Sequence, residues 1–377
     1  MAVGRVAARE RGAWSESRAV QRVTAPPIAA LAVMFTGVGL TLTVAGPTLG
    51  YDFLAYHAAA ARLLDGQSPY DLGFDAAGGF GLFYYPPTFV PLILPFGFLA
   101  PAVATWLWLA VLLAAFAIGV ALLPVDRSVK WWIVLLAGLS WPFVYSVKLG
   151  QVGPLLFLAC AAGWRWLDRP LALGVSAALG TAIKLQPVLL LGWALATGRR
   201  RAAIYGGLTL LGLASAALIV AGPRSFADFA TLMRQLTDPI ANAQNMAPGA
   251  VLYRLGVPLD AARSLQLINT AAVLTLLVAA STRVTAHASY VAAVVAGQMI
   301  WPVVWEHYAM LLLLPVAYLL SIGWRWAAII PLATAIVLVP FTPTIVYPLA
   351  FYATLLAIVA AGWRPAEEIR AVLPSTA

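Results

Sequence analysis

The chain has 377 residues, of which 62% are hydrophobic and only 10% carry a charge. Soluble domains carry about 25% charged residues, so this composition excludes an ordinary soluble protein. The net charge of +9 comes from arginine clusters beside apolar segments, which is typical of membrane proteins and does not indicate nucleic-acid binding.

Apolar runs recur along the chain, and each is long enough to cross about 30 Å of hydrocarbon as a helix. Alternation at period two is missing, so the spans are predicted to be helical. The sequence therefore predicts an all-α, polytopic membrane protein with about 11–13 transmembrane helices in one domain over 25–363. The predicted spans lie at about 26–44, 83–98, 101–123, 131–148, 152–167, 171–197, 202–221, 263–281, 287–304, 308–322, 325–340 and 343–362.

Both ends of the chain are predicted to face the cytoplasm. Five arginines crowd residues 1–24, and such clusters mark the cytoplasmic ends of spans. We therefore predict a basic cytoplasmic arm at 1–24 and a cytoplasmic tail at 364–377. The first apolar run is too long for the core of a signal peptide, so it is predicted to be an anchor.

The stretch over 47–82 is the most polar part of the chain, and it is predicted to be an extracytoplasmic loop. Within it Phe53, Tyr56, Ala60 and Leu64 recur at helical spacing. This pattern predicts a short helix that lies along the membrane interface.

Asp52 stands immediately before the predicted interfacial helix. A carboxylate close to the bilayer is costly unless it is solvated or paired, which favours a functional role. Aspartate is also a good N-cap, so Asp52 could cap a helix that begins at Phe53. The two interpretations are compatible.

The segment 83–98 decides on which side of the membrane several basic residues lie. If it crosses, Arg127, Lys130, Arg165 and Arg169 fall outside, against the rule that positive charge stays inside. If it only dips into the membrane, these residues return to the cytoplasm. We favour the dip, because irregular backbone is tolerated at membrane depth where it lines a cavity.

Two lysines interrupt apolar runs. Lys148 and Gln151 bracket one short polar segment, and Lys184 and Gln186 lie within the run 171–197, which Pro187 is predicted to break. A lysine in an apolar run either snorkels to the interface or binds an anion. Snorkelling is the better interpretation for Lys148, and anion binding is the better one for Lys184. A phosphate would suit both lysines.

Further polar candidates lie late in the chain. A second extracytoplasmic loop is predicted at 222–262, and it carries Asn245 and Arg254. Glu306 and His307 lie between two apolar runs, in the sequence Trp-Glu-His-Tyr. A histidine can act as acid, base or hydrogen-bond donor to phosphate. An aromatic belt at the membrane interface would account for the same four residues.

Tyr84 and Tyr85 open the segment 83–98. They suit an interfacial belt, but tyrosine rings also stack on sugars. The sequence contains no Walker motif, no G-x-G-x-x-G, no metal-ligand cluster and no nucleophile elbow, so we expect no cofactor and no metal.

In their order and spacing these segments resemble glycosyltransferase family 87, whose members use polyprenyl-phosphate sugars and have a GT-C fold. The resemblance covers residues 50 to about 315. The matching segments are Asp52-Phe53 through Tyr56, residues 60–71, Phe-Tyr-Tyr-Pro-Pro at 83–87, Gly150-Gln151, Lys184 to Pro187 and Trp305 to Tyr308.

The resemblance implies an inverting, metal-independent hexosyltransferase that moves a sugar, mannose by analogy, to a hydroxyl of a lipid or glycan. It implies that Asp52 is the general base. Expected donor-binding residues are Lys148, Gln151, Lys184, Gln186, Arg254 and His307, and expected acceptor or sugar contacts are Tyr56, Tyr84, Tyr85, Asn245 and Glu306.

The expected partners are a polyprenyl-phosphate sugar, a lipid or glycan acceptor and membrane lipids, with no nucleic acid and no obligate protein partner. The expected location is the bacterial inner membrane, with the active site facing the extracytoplasmic side. Three alternatives stay open, of which a non-catalytic membrane scaffold gives Asp52 and Lys184 no purpose. A secondary transporter predicts paired repeats with matching broken helices, and no repeat is visible in the sequence. A lipid-linked glycan ligase or polymerase differs mainly in its donor.

Overall fold

The computed structural model of the protein describes residues 27–73, 81–235 and 238–363. These ranges are mainly helical, and their β contacts are limited to two isolated bridges. The predicted all-α fold is therefore confirmed. The predicted cytoplasmic arm at 1–24 and tail at 364–377 lie outside the described residues.

Long helices alternate with short ones and with 3-10 turns. The α-helices are α1 (Pro27–Val44), α2 (Tyr51–Leu64), α3 (Val90–Ile93), α4 (Pro101–Leu122), α5 (Arg127–Leu139), α6 (Trp141–Leu149), α7 (Gly153–Arg165), α8 (Pro170–Ile183), α9 (Val188–Ala196), α10 (Arg200–Gln235), α11 (Pro248–Arg254), α12 (Leu259–Arg283), α13 (Ala286–Met299), α14 (Leu313–Ser321), α15 (Ile329–Leu332) and α16 (Val346–Gly362). The 3-10 segments are Gly46–Thr48, Pro87–Phe89, Leu94–Phe98, Pro239–Ala241, Glu306–Leu312, Arg325–Ala328 and Ile336–Phe341.

In the described part of the chain, four helices are long and apolar enough to cross a membrane, namely α1, α4, α10 and α12. The pair α6 and α7, which is bent by 118°, would make a fifth span if it crosses as one. Shorter apolar helices, α8 and α16 among them, fill other predicted spans. The chain is an integral membrane protein, because these apolar helices have no other stable environment.

Proline breaks several of the predicted spans. The run 171–197 consists of α8 and α9, separated by an extended Lys184 and a turn that ends at Pro187. The segment 83–98 is helical only over Pro87–Phe98, in three short pieces. Proline lacks a backbone N–H and disfavours a helical residue before it, which explains these interruptions.

The predicted loop at 222–262 is more ordered than the sequence suggests. Helix α10 continues to Gln235 across a bend at Gly222, whose φ of 72° only glycine adopts easily. A 3-10 turn at Pro239–Ala241 and helix α11 follow. The loop therefore consists mainly of short helices.

Helix α13 lies at the centre of the protein, since all residues from Ala288 to Met299 are buried. It contacts α12, α9, α16 and α14. The long helices at the periphery expose large apolar side chains outward, as lipid-facing helices do. These include Ile28, Phe35 and Val44 of α1, Val103 and Trp106 of α4, Ile204, Leu208 and Ile219 of α10, and Leu267, Ile268 and Val278 of α12.

Helices α1 and α5 cross at two glycines. A Cβ on Gly138 would lie 2.6 Å from the Cα of Met34, and a Cβ on Gly37 would meet the carbonyl oxygen of Gly138. The backbones approach each other here as closely as glycine permits. Small residues allow such close crossings in membranes, where dispersion contacts drive helix association.

We predict that Gly138→Ala lowers the thermal stability of the detergent-purified protein, by about 1–3 kcal/mol, because the methyl group meets rigid backbone. The matched control is Gly207→Ala, since Gly207 is helical and a Cβ added there would have no neighbour within 4 Å. The control should be neutral or slightly stabilising. Equal melting temperatures for both variants would contradict the close crossing.

Candidate functional site

Asp52 lies in the first turn of α2, just beyond the first spanning helix. The helix begins at Tyr51 after Gly50, whose N–H donates to the carbonyl oxygen of Lys148 at 2.7 Å. The interpretation of Asp52 as the N-cap of a helix that starts at Phe53 is therefore wrong. Its carboxylate instead accepts a hydrogen bond of 2.5 Å from the side-chain amide of Gln151.

Gln151 connects this carboxylate to two buried tyrosines. The Tyr56 hydroxyl donates to the Tyr85 hydroxyl at 2.7 Å, and the Tyr85 hydroxyl donates to Oε1 of Gln151 at 2.7 Å. Nε2 of Gln151 then faces Asp52, which as an ionised carboxylate can only accept. The chain of donors fixes the orientation of the amide.

Rigid packing holds Gln151 in this position. The residue before it, Gly150, ends α6 with a φ of 71°, and a Cβ there would lie 2.6 Å from the Cβ of Phe53. The Trp108 indole donates to the Gly150 carbonyl at 2.7 Å and stacks on Phe53, with 5.3 Å between ring centroids. The α6–α7 bend and the start of α2 are thereby locked together.

Lys184 occupies the break between α8 and α9, where its backbone is extended. Its Nζ lies 3.8 Å from the ring centroid of Tyr308 and 5.5 Å from that of Tyr85. Aromatic faces attract a cation, so these rings hold the ammonium in the site. The charge also acts on Asp52, although in the described structure the two side chains form no direct ion pair.

Burial raises the pKa of Asp52, and the hydrogen bond from Gln151 and the charge of Lys184 partly offset this rise. A low-dielectric environment disfavours the charged form, whereas a donor and a nearby cation favour it. The raised pKa makes the carboxylate a stronger base than an ordinary aspartate. General base catalysis improves as the pKa of the base approaches the working pH.

A narrow cavity adjoins this network, with a volume of about 10 Å³, the space of about one water molecule. Its lining residues are Gln151, Gly153, Leu156, Lys184, Gln298, His307, Tyr308, Met310 and Leu311. Among the residues that the structure describes, Nε2 of His307 and Oε1 of Gln298 are buried without a hydrogen-bond partner. Such unpaired buried atoms are rare in folded proteins.

Four more predicted residues lie around this centre. Gln186 is buried beside Tyr308, which the Gln186 amide reaches. Lys148 lies 5.5 Å from the ring centroid of Tyr145, the ring that also contacts His307. The remaining two are at the edge of the site: Glu306 accepts a hydrogen bond of 3.2 Å from Tyr347, and Tyr84 lies near Tyr51.

Asn245 and Arg254 form a separate group. The Asn245 side chain is fully buried, and its two donors and two acceptor positions are taken by the backbone of Pro239, Pro302, Ala247 and Val304. Arg254 donates to the Asn245 carbonyl at 2.6 Å. Asn245 therefore braces two loops, with no hydrogen-bonding capacity left for a substrate.

Gln298 and Tyr145 lie at the site but were not predicted from the sequence, and Tyr308 was predicted only as part of a motif. A signal for Gln298 was present, because it is a lone amide in the apolar run 287–304. Like the two lysines, it is a polar residue that is costly inside an apolar run unless it has a partner. Nothing in the sequence indicates the contact of Tyr145 with His307, which depends on how α6 packs on the 3-10 turn at Glu306–Leu312.

No group of three or more His, Cys, Asp or Glu residues in the described chain could hold a metal ion. A family model, glycosyltransferase family 87, matches residues 83–315. The match covers more than half of the chain and includes Lys148, Gln151, Lys184 and His307, whereas Asp52 precedes it. No curated protein and no solved structure matches the chain.

We predict that Gly150→Ala destabilises the protein more than Gly66→Ala. Both glycines have a φ near 70°, which costs an alanine about 1–2 kcal/mol. Only Gly150 faces a close neighbour, since a Cβ there would meet Phe53, whereas Gly66 has open space. Thermal melting of both variants isolates the effect of that contact, and a Gly66→Ala variant at least as unstable would contradict the packing described.

Proposed function

The chain belongs to glycosyltransferase family 87, and from this premise we propose that it moves a hexose from a polyprenyl-phosphate sugar to a hydroxyl of a lipid or glycan acceptor. Mannose is the first candidate for the hexose. One observation carries the proposal: a carboxylate of raised pKa, Asp52, and a cation held on aromatic rings, Lys184, lie together around Gln151.

Asp52 is proposed to be the general base. Gln151 occupies its Oδ2, which leaves the other carboxylate oxygen for the acceptor hydroxyl. As that hydroxyl oxygen bonds to the anomeric carbon, its proton passes to Asp52, and the bond from the carbon to the phosphate oxygen breaks. A positioned base contributes about 10²- to 10⁴-fold to such a step. With a single carboxylate, the displacement is direct and inverts the anomeric carbon.

Lys184 is proposed to bind the leaving group. The electron pair of the broken bond goes to the phosphate oxygen, so negative charge grows there during the reaction. A cation in a water-poor site stabilises that charge more strongly than water does. The rings of Tyr308 and Tyr85 would release Lys184 to the phosphate, and Lys148 and His307 are further candidates for this contact.

The proposed orientation puts the site on the extracytoplasmic side of the bacterial inner membrane. Helix α8 runs from a basic end, where Gly174 packs on Ala202, to Lys184 at the site. At the same basic end Trp164 donates to His287, where α7 ends and α13 begins. Cations lie at the α4–α5, α7–α8, α9–α10 and α12–α13 connections, namely Arg127, Lys130, Arg165, Arg169, Arg199, Arg200, Arg201 and Arg283. Positive charge favours the cytoplasmic side.

The direct test is to incubate the purified protein in lipid nanodiscs with an acceptor extract and a panel of polyprenyl-phosphate sugars. We expect consumption of one polyprenyl-phosphate hexose and release of polyprenyl phosphate. A nucleotide sugar and a lipid-linked glycan in parallel arms test other donor classes, and empty nanodiscs are the control. Consumption of the lipid-linked glycan alone would support a ligase or polymerase and overturn the proposal.

The pH dependence of kcat/KM tests Asp52 as base. Activity needs the charged carboxylate, so it should fall as the pH drops through the raised pKa of Asp52, above the value of about 3.9 for an ordinary aspartate. The Gln151 hydrogen bond lowers this pKa, and hence Gln151→Met should move the acidic limb to higher pH. Gln67→Met is the control, because Gln67 is an exposed glutamine that follows the end of α2. A limb that stays in place or moves to lower pH would contradict the assignment.

A further inference from the structure

Gln298 stands out because helix α13 is buried on every side. The residue lies one position before the end of the helix, and its side chain is 3% exposed. Two neighbouring side chains are paired with backbone at this helix end, since Asn269 donates to the Met299 carbonyl and Thr270 donates to the Ile300 carbonyl. The Oε1 of Gln298, by contrast, is one of the buried side-chain atoms of the described chain that have no hydrogen-bond partner.

Two buried atoms without hydrogen-bond partners line the same cavity, and one can accept a hydrogen bond while the other can donate one. Gln298 and His307 both line the narrow cavity beside Lys184, and each keeps one buried polar atom without a partner. The Oε1 of Gln298 can only accept a hydrogen bond, whereas an imidazole nitrogen can donate one. A buried polar group left unpaired destabilises the fold, so the pair indicates an occupant that both donates and accepts.

The size and charge of the cavity limit what this occupant can be. A volume of about 10 Å³ admits a water molecule or one hydroxyl group, but not a whole ring. A carboxylate or carbonyl oxygen cannot donate to Oε1 of Gln298, and an ammonium would be repelled by Lys184 at the cavity wall. A hydroxyl group, of a water molecule or of a substrate, satisfies both atoms.

We propose that Gln298, together with His307, binds one hydroxyl group of the transferred sugar, and that Gln298 thereby selects the sugar. This inference rests on the proposed function, in which Lys184 holds the donor phosphate and Asp52 the acceptor hydroxyl. The sugar ring then lies at the cavity mouth and inserts a single hydroxyl. A site that hydrogen-bonds a substrate hydroxyl rejects analogues that lack it, because its buried groups then stay unpaired.

The first test compares Gln298→Met with Gln266→Met in the ligand-free protein. Both glutamines are buried, but Gln266 is paired: its Oε1 accepts from the Gly249 N–H at 3.0 Å and its amide reaches the Trp301 carbonyl. We expect Gln266→Met to lower the melting temperature and Gln298→Met to raise it or leave it unchanged, because it removes an unpaired acceptor. An equal fall for both would mean a structural role and overturn the inference.

The second test uses polyprenyl-phosphate hexoses in which one sugar hydroxyl at a time is replaced by hydrogen. The wild type should use one of these donors at least tenfold less efficiently than the complete donor, by kcat/KM. Gln298→Met should lose about tenfold on the complete donor and no longer distinguish it from that analogue. Its affinity for polyprenyl phosphate without sugar should stay that of the wild type.

Different outcomes would overturn the role of Gln298 and the proposed function on which it rests. If the wild type discriminates and Gln298→Met discriminates equally, the inference is overturned and the proposed function stands. If Gln298→Met also loses affinity for polyprenyl phosphate alone, the residue serves the phosphate and the sugar assignment is overturned. If the wild type turns over no polyprenyl-phosphate hexose, the proposed function is overturned, and this inference with it.

Discussion

A carboxylate beside a bilayer needs hydrogen-bond donors, and Gln151 supplies the one on which the site depends. Its amide joins Asp52 to Tyr85, and through Tyr85 to Tyr56. Without this bridge, Asp52 would be a partly buried charge whose solvation is poor. The close fit of Gly150 against Phe53 orients the amide, so backbone geometry and electrostatics are coupled at this point.

Helix breaks converge on the same site. Helix α6 ends at Leu149 with Gly150 as its C-cap, α8 ends before Lys184, and the chain after α13 returns through a 3-10 turn that carries His307. A continuous helix satisfies its own backbone and points few polar groups inward, whereas breaks release side chains and carbonyls into a protected space. The irregular segments therefore supply the chemistry, and the regular apolar helices around them supply the membrane anchor.

Much of this arrangement was predictable where a residue type conflicts with its surroundings. A lysine deep in an apolar run and an aspartate beside a span indicated a shared polar site, and Lys184 does act on Asp52. The rest depends on contacts between distant segments. The start of α2 is set by a hydrogen bond between Gly50 and Lys148, and the four backbone bonds of Asn245 have no local pattern. Gln298 is a polar residue in an apolar run as well, but a neutral amide there is a weaker signal than a charge.

Asp52 and Lys184 are proposed to act on different bonds of the same anomeric carbon, the bond to the acceptor oxygen and the bond to the phosphate oxygen. The decisive measurement is polyprenyl-phosphate binding together with sugar turnover. Asp52→Asn should lose sugar transfer and keep wild-type affinity for polyprenyl phosphate, whereas Lys184→Ala should lose that affinity. Asp65→Asn, an exposed carboxylate at the other end of α2, is the matched control and should behave as wild type. Wild-type turnover by Asp52→Asn, or unchanged polyprenyl-phosphate affinity in Lys184→Ala, would show that these roles are wrong.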